Sequence, residues 1–144
     1  MGGLTAEERL LHETAREFAR REVAPTAIER DEEERFDRSI FTRMGELGLT
    51  AAPLPEAVGG AGFSYLGWTL VMEELGAADM AVAVTLSVHV LSQLPVVTYG
   101  TPEQRAEWLP AMLRGEALTR EDSDGMMRDM VSKRDETRDG AGKP

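Results

Sequence analysis

Cysteine is absent from the 144 residues, which excludes a disulfide framework, a thiolate zinc site and a cysteine nucleophile together. Histidine is nearly as scarce. The two present, His12 and His89, stand far apart with no partner at i+4, so no histidine metal motif is formed. Positive charge is short as well: 16 Lys and Arg stand against 26 Asp and Glu, a formal charge of -10. A chain of that sign is repelled on average by a phosphate backbone or an anionic bilayer surface, so nucleic acid is not an expected partner. The opening MGGLTAEERLL carries acidic residues and no apolar h-region, unlike a secretory signal, and a cytoplasmic location is the expectation.

What is present is a succession of helix signals within the length of one ordinary domain. Thr5-Ala6-Glu7-Glu8 has the form of a capping box, and Leu11, Ala15, Phe18, Ala19 and Val23 then recur on one face at helical spacing. Pro25 should break or re-aim that helix, and Thr26 to Glu34 reads as a short one with Ala27 and Ile28 as its apolar contacts. Asp37 caps a further helix through Ile40, Phe41, Met44 and Leu47, ended by Gly48. PLPEAVGGAG, from Pro53 to Gly62, reads as an extended loop. Ser64 caps a helix carrying Leu66, Leu70, Val71 and Leu75, and Asp79 is the cap of the next segment. Thr101-Pro102-Glu103-Gln104 joins a Thr N-cap, a Pro at N1 and a Gln at N3, opening a helix with Trp108, Leu109, Met112 and Leu113 that Gly115 closes.

After Asp79 the local rules conflict. Val82, Val84, Leu86, Val88 and Val90 alternate with small or polar residues at the period of a half-buried strand. The length of the run, its Asp79 cap and the lack of a turn signal or a partner strand favour a helix instead. The same stretch, Met80 to Val97, carries no charge and approaches the roughly 18 to 20 residues that span a bilayer. Thr85, Ser87, His89, Ser92, Gln93 and Pro95 give it the polar load of a buried core element rather than a membrane span. Beyond Thr119 about half of the residues are charged, and the apolar ones are mostly Met126, Met127 and Met130. Too little area can be buried there to offset chain entropy, so residues 119–144 read as a charged, disordered tail. The fold class expected is all-α, a helical bundle over residues 4–118.

Residues that could carry chemistry are few. Glu73 and Glu74 are adjacent, but neighbours on a helix diverge by about a third of a turn and do not share acid-base work. The GGAG loop follows no strand and lacks the G-x-G-x-x-G spacing, so it reads as a turn rather than a phosphate cradle. His89 lies among apolar residues with no carboxylate nearby in sequence, which suits a satisfied core histidine.

Four strings nevertheless occur in order: AREFARREVAP; FTRMGELGL followed by PEAVGGAGFSY; VMEELG; and TYGTPEQRAEWLPAMLRGE. Together, from about Leu4 to Leu118, they resemble the N-terminal domain of the acyl-CoA dehydrogenase family. The resemblance implies an oxidoreductase acting on the Cα–Cβ bond of an acyl-CoA thioester, with FAD accepting the hydride and a glutamate removing the α proton. Members have a helical N-terminal domain, a central β-domain and a C-terminal helical domain, and are commonly tetramers. The catalytic glutamate of the family lies in or near the C-terminal domain, so no residue here is assigned to catalysis. By the resemblance, Ala83, Ser87 and Leu91, at i, i+4 and i+8, belong to the wall of the acyl pocket. Leu118 and Thr119 fall in the ALT string that touches the flavin. In the family, residues stand between that string and the Gly-Glu before it; here Gly115-Glu116 runs directly into Ala117-Leu118-Thr119. The partners implied are acyl-CoA together with further copies of the chain or a chain supplying the other domains. Two other readings remain open: a helical interaction or assembly module without catalysis, and the product of a disrupted gene.

Overall fold

The computed structural model describes residues 3–117. The Leu118 and Thr119 flavin assignment and the expected tail lie outside them. Among the described residues there are six α-helices and no strand: α1 Ala6–Phe18, α2 Ala27–Glu32, α3 Arg38–Glu46, α4 Tyr65–Ala78, α5 Met80–Tyr99 and α6 Pro102–Leu113. The chain is an all-α bundle in which α1 packs on α4, α4 on α5 and α5 on α6.

Each main helix begins where a side chain satisfies amides that have no intrahelical acceptor. Thr5 and Glu8 form the reciprocal capping box of α1, and Thr101 and Gln104 that of α6. Asp37 caps α3 through the Ser39 amide, Ser64 caps α4 through the Gly67 amide, and Asp79 caps α5 through the Ala81 and Val82 amides. The buried face of α1 contains Leu11, Ala15 and Phe18 and continues through Ala19 and Val23. There the ladder widens to a π-turn, Ala19–Val23, with the Ala24 amide donating to the Ala19 carbonyl. Pro25 explains the widening: it brings no N–H, so the i→i−4 pattern cannot run through it. The chain stays helical across the proline, through the 3₁₀ turn Ala24–Thr26 into α2.

In α2 one of the two expected contacts is lost: Ala27 is half-buried, but Ile28 turns outward. Ile28 is 75% exposed, whereas Arg30 is 5% exposed and anchors the helix. Its guanidinium donates to the Val23 carbonyl at 3.0 Å, to Thr26 Oγ1 and to Asp79 Oδ2 at 2.7 Å. Asp79 therefore caps α5 and ties α2 to the α4–α5 elbow. Burial pulls the Asp79 carboxyl upward, but the Arg30 guanidinium and the Val82 and Ala81 amides outweigh it and hold the group below its ordinary range.

Two helices end in the same motif with different residues at its tight position. After α6, Gly115 at φ 67° lets its amide bond the Met112 carbonyl and the Glu116 amide bond the Ala111 carbonyl. After α2 the matching bonds run from Glu34 to Asp31 and from Arg35 to Arg30, but the residue held at φ 50° is Glu34. A left-handed conformation costs a side-chain-bearing residue about 1–2 kcal/mol, partly offset by the greater chain entropy that glycine loses. Glu34→Gly is expected to raise the unfolding free energy by about 0.5–1 kcal/mol. Urea denaturation at constant m-value checks this, and a lower midpoint would mean that the Glu34 side chain stabilises the fold.

The loop after α3 is more ordered than an extended segment, with 3₁₀ turns at Leu49–Ala51 and Glu56–Val58. Ala51, Ala52 and Leu54 are buried in it, and the GGAG segment folds back so that the Gly62 and Phe63 amides reach the Leu54 and Ala52 carbonyls. Gly45 lets α3 meet the end of α6 closely: a Cβ there would lie 1.9 Å from the Arg114 carbonyl oxygen.

Candidate functional site: the outer face of α5

The alternation that mimicked a strand is resolved by the 100° turn per residue of a helix. Val82, Leu86 and Val90, four residues apart, are buried against the core, and Val84 and Val88 come out on the other side. Met80, Val84, Val88 and Leu91 are all exposed, and α5 carries no charged residue between Met80 and Tyr99, so these four form an uncharged apolar stripe. The helix is long and apolar enough to cross a bilayer, but its other face packs inside the bundle.

That inner face holds two of the polar residues of α5. His89 and Gln93 are fully buried. His89 Nε2 donates to the Met112 carbonyl at 2.8 Å, and Gln93 Nε2 donates to the Thr50 carbonyl at 2.8 Å. The Thr50 hydroxyl in turn donates to the Leu113 carbonyl. These bonds close the last turn of α6, whose carbonyls have no intrahelical donors, onto α5 and the Leu49–Ala51 turn. The His89 ring meets the Phe41 ring edge-on at 4.9 Å between centroids. Burial pushes the His89 pKa down, against a smaller upward pull from the Met112 carbonyl, so the ring is neutral in the fold at neutral pH.

The residues assigned to the pocket wall straddle the boundary between the two faces. Ala83 is buried toward α4, where a Cβ on Gly76 would lie 3.9 Å from it; Ser87 is half-buried; Leu91 is 59% exposed. The exposed neighbours that sequence reading passed over are Met80, Val84 and Val88. A helix apolar on all sides shows no amphipathic stripe, and only His89 and Gln93 signalled which side turns inward.

The adjacent glutamates separate as their spacing requires. Glu73 is exposed, while Glu74 accepts from Arg16 Nε at 2.9 Å and from His12 Nε2 at 2.7 Å, joining α4 to α1. The Arg16 bond, opposed by burial and aided by His12, lowers the Glu74 pKa. Among the described residues no group of His, Asp and Glu has the arrangement of a metal site.

Residues 5–116 match the model of the acyl-CoA dehydrogenase N-terminal domain. The chain belongs to the acyl-CoA dehydrogenase family. It is 37% identical over 110 residues to the short-chain specific acyl-CoA dehydrogenase, mitochondrial, of Sus scrofa, covering 76% of this chain and 27% of that protein. It is also 37% identical over 115 residues to the acryloyl-CoA reductase (NADH) of Anaerotignum propionicum, covering 80% and 29%. The solved butyryl-CoA dehydrogenase of Megasphaera elsdenii superposes with a TM-score of 0.73 at 31% identity, covering 82% of this chain and 32% of that one. The chain thus spans less than a third of the length of these relatives.

The flavin of the family can be tested against one formed cleft, about 290 Å³, between α2, α3 and the start of α5. A flavin pyrophosphate calls for converging N–H donors or free cations. Here Asp31, Glu34, Asp37 and Asp79 line the cleft, and its two arginines are committed, Arg30 to Asp79 and Arg35 to Glu29, Glu33 and Asp37. The cleft does not fit FAD.

Proposed function

We propose that this chain is the N-terminal helical domain of a flavin-dependent acyl-CoA oxidoreductase and that the outer face of α5 forms part of the wall along the acyl chain. The observation that carries the reading is the uncharged stripe of Met80, Val84, Val88 and Leu91, four exposed apolar side chains on one face of a helix without a charged residue. Such a surface suits a hydrocarbon chain and excludes water from it, while the Ser87 hydroxyl at its edge is its polar element. No acidic residue lies on α5, so the domain supplies shape and desolvation; the base and the flavin are supplied from outside residues 3–117. The names of the relatives place their chemistry on acyl-CoA thioesters, one as a dehydrogenase and one as a reductase. The substrate class assigned here is likewise acyl-CoA, and a cytoplasmic location stays part of the reading.

The test is a chimera in which residues 5–116 replace the equivalent domain of the Megasphaera elsdenii butyryl-CoA dehydrogenase. Bleaching of its flavin absorbance by butyryl-CoA is the expected result. A chimera that folds and holds flavin but does not bleach would favour the non-catalytic module.

A further inference from the structure

Resting on that reading of the stripe as an apolar ligand surface, we infer that Met80 is a reversible oxidation site that switches the head of the α5 stripe from apolar to polar. Four methionines fall among the described residues. Met44 and Met112 are buried and Met72 is packed against the core, whereas Met80 is 65% exposed. As the first residue of α5, its side chain lies back over the end of α4, with Cε 3.7 Å and Sδ 4.0 Å from where a Cβ on Gly76 would stand. Gly76 puts no side chain over the thioether there, and the residue as a whole stays largely exposed. Val84, Val88 and Leu91 continue along the same face, so the thioether begins an uncharged surface.

The reaction is a two-electron transfer to a hydroperoxide. The sulfur lone pair attacks one peroxide oxygen, the O–O bond breaks, an S–O bond forms, and the other oxygen leaves as water or an alcohol. The sulfoxide is polar and is returned to the thioether by a methionine sulfoxide reductase drawing on a thiol. The fold need not change, because the Met80 side chain is largely exposed and fills no core position. The affinity of the stripe for apolar ligands does change.

Limiting hydrogen peroxide applied to the folded 144-residue chain, followed by peptide mass mapping, reads the selectivity. Met80 should oxidise at least about tenfold faster than Met44 and Met112, in line with exposure. Fluorescence of bound anilinonaphthalene sulfonate should fall on oxidation and return after treatment with the reductase and dithiothreitol, while the thermal midpoint stays in place. In Met80→Leu the same treatment should leave the fluorescence unchanged; methionines beyond residue 117 are present in both proteins and cancel. Oxidation of Met80 no faster than of Met44 or Met112, or an equal fluorescence loss in Met80→Leu, would overturn the assignment.

Discussion

Arg30→Met is expected to lower the unfolding free energy by about 3–5 kcal/mol, the loss typical when one partner of a buried ion pair is removed and the other is left charged. Arg30 is buried and Asp79 partly buried, and their bond joins α2 to the α4–α5 elbow. Adding Asp79→Asn should recover part of the loss, because asparagine caps a helix about as well as aspartate and carries no charge. Urea unfolding of the two single variants and the double one measures the coupling directly. The pH dependence has a definite sign. Asp79 titrates below its ordinary range in the fold, so its contribution is present above the unfolded carboxylate pKa and is lost as pH falls through the folded one. Glu74 acts in the same sense. His89 adds to it differently: its pKa is lowered by burial, so stability begins to fall once pH drops below the unfolded histidine value of 6.5. In Arg30→Met the Asp79 share shrinks to what the Val82 and Ala81 amides sustain against burial, and the acid limb should become shallower.

Gly45→Ala is expected to cost about 3 kcal/mol, at the upper end for overpacking, and to lower the thermal midpoint by roughly 10 °C. Alanine is the better helix former by about 1 kcal/mol, so propensity alone gives the opposite sign. Sterics win because the added carbon would stand 1.9 Å from a backbone oxygen and 2.3 Å from the carbon of the Arg114 carbonyl. No side chain can turn away; either α3 or the end of α6 must move. Thermal unfolding followed by circular dichroism decides between the two signs.

The two variants also mark what could be read from the sequence. Caps at Thr5, Asp37, Ser64, Asp79 and Thr101 are local, each set by a side chain and amides within three residues, and all five are observed. The face of α1 from Leu11 to Val23 is equally legible, because polar residues surround it. Arg30–Asp79 and His12–Glu74 join residues 49 and 62 apart, and nothing in the local pattern pairs them. Ile28 and Arg30 exchange roles because a six-residue helix is oriented by its best anchor, and a guanidinium with three acceptors outweighs one isoleucine. On α4, Leu66 is exposed while Val71 and Leu75 are buried, a division its apolar composition does not announce. The site suffers from the same lack of contrast: Ala83, Ser87 and Leu91 share a helical face, but the sequence does not show that this face turns from core to surface along its length.

The central claim, that the outer face of α5 lies along the acyl chain, is tested most directly by placing Ser87→Phe in the chimera and comparing flavin reduction by butyryl-CoA and octanoyl-CoA. An aromatic ring at the edge of the stripe takes space from the far end of a long chain before it touches a short one. The ratio of kcat/KM for octanoyl-CoA to that for butyryl-CoA should fall by about tenfold, the scale set by a few methylene contacts in an apolar pocket, with flavin content unchanged. An unchanged ratio in a folded, flavin-loaded enzyme would contradict the claim.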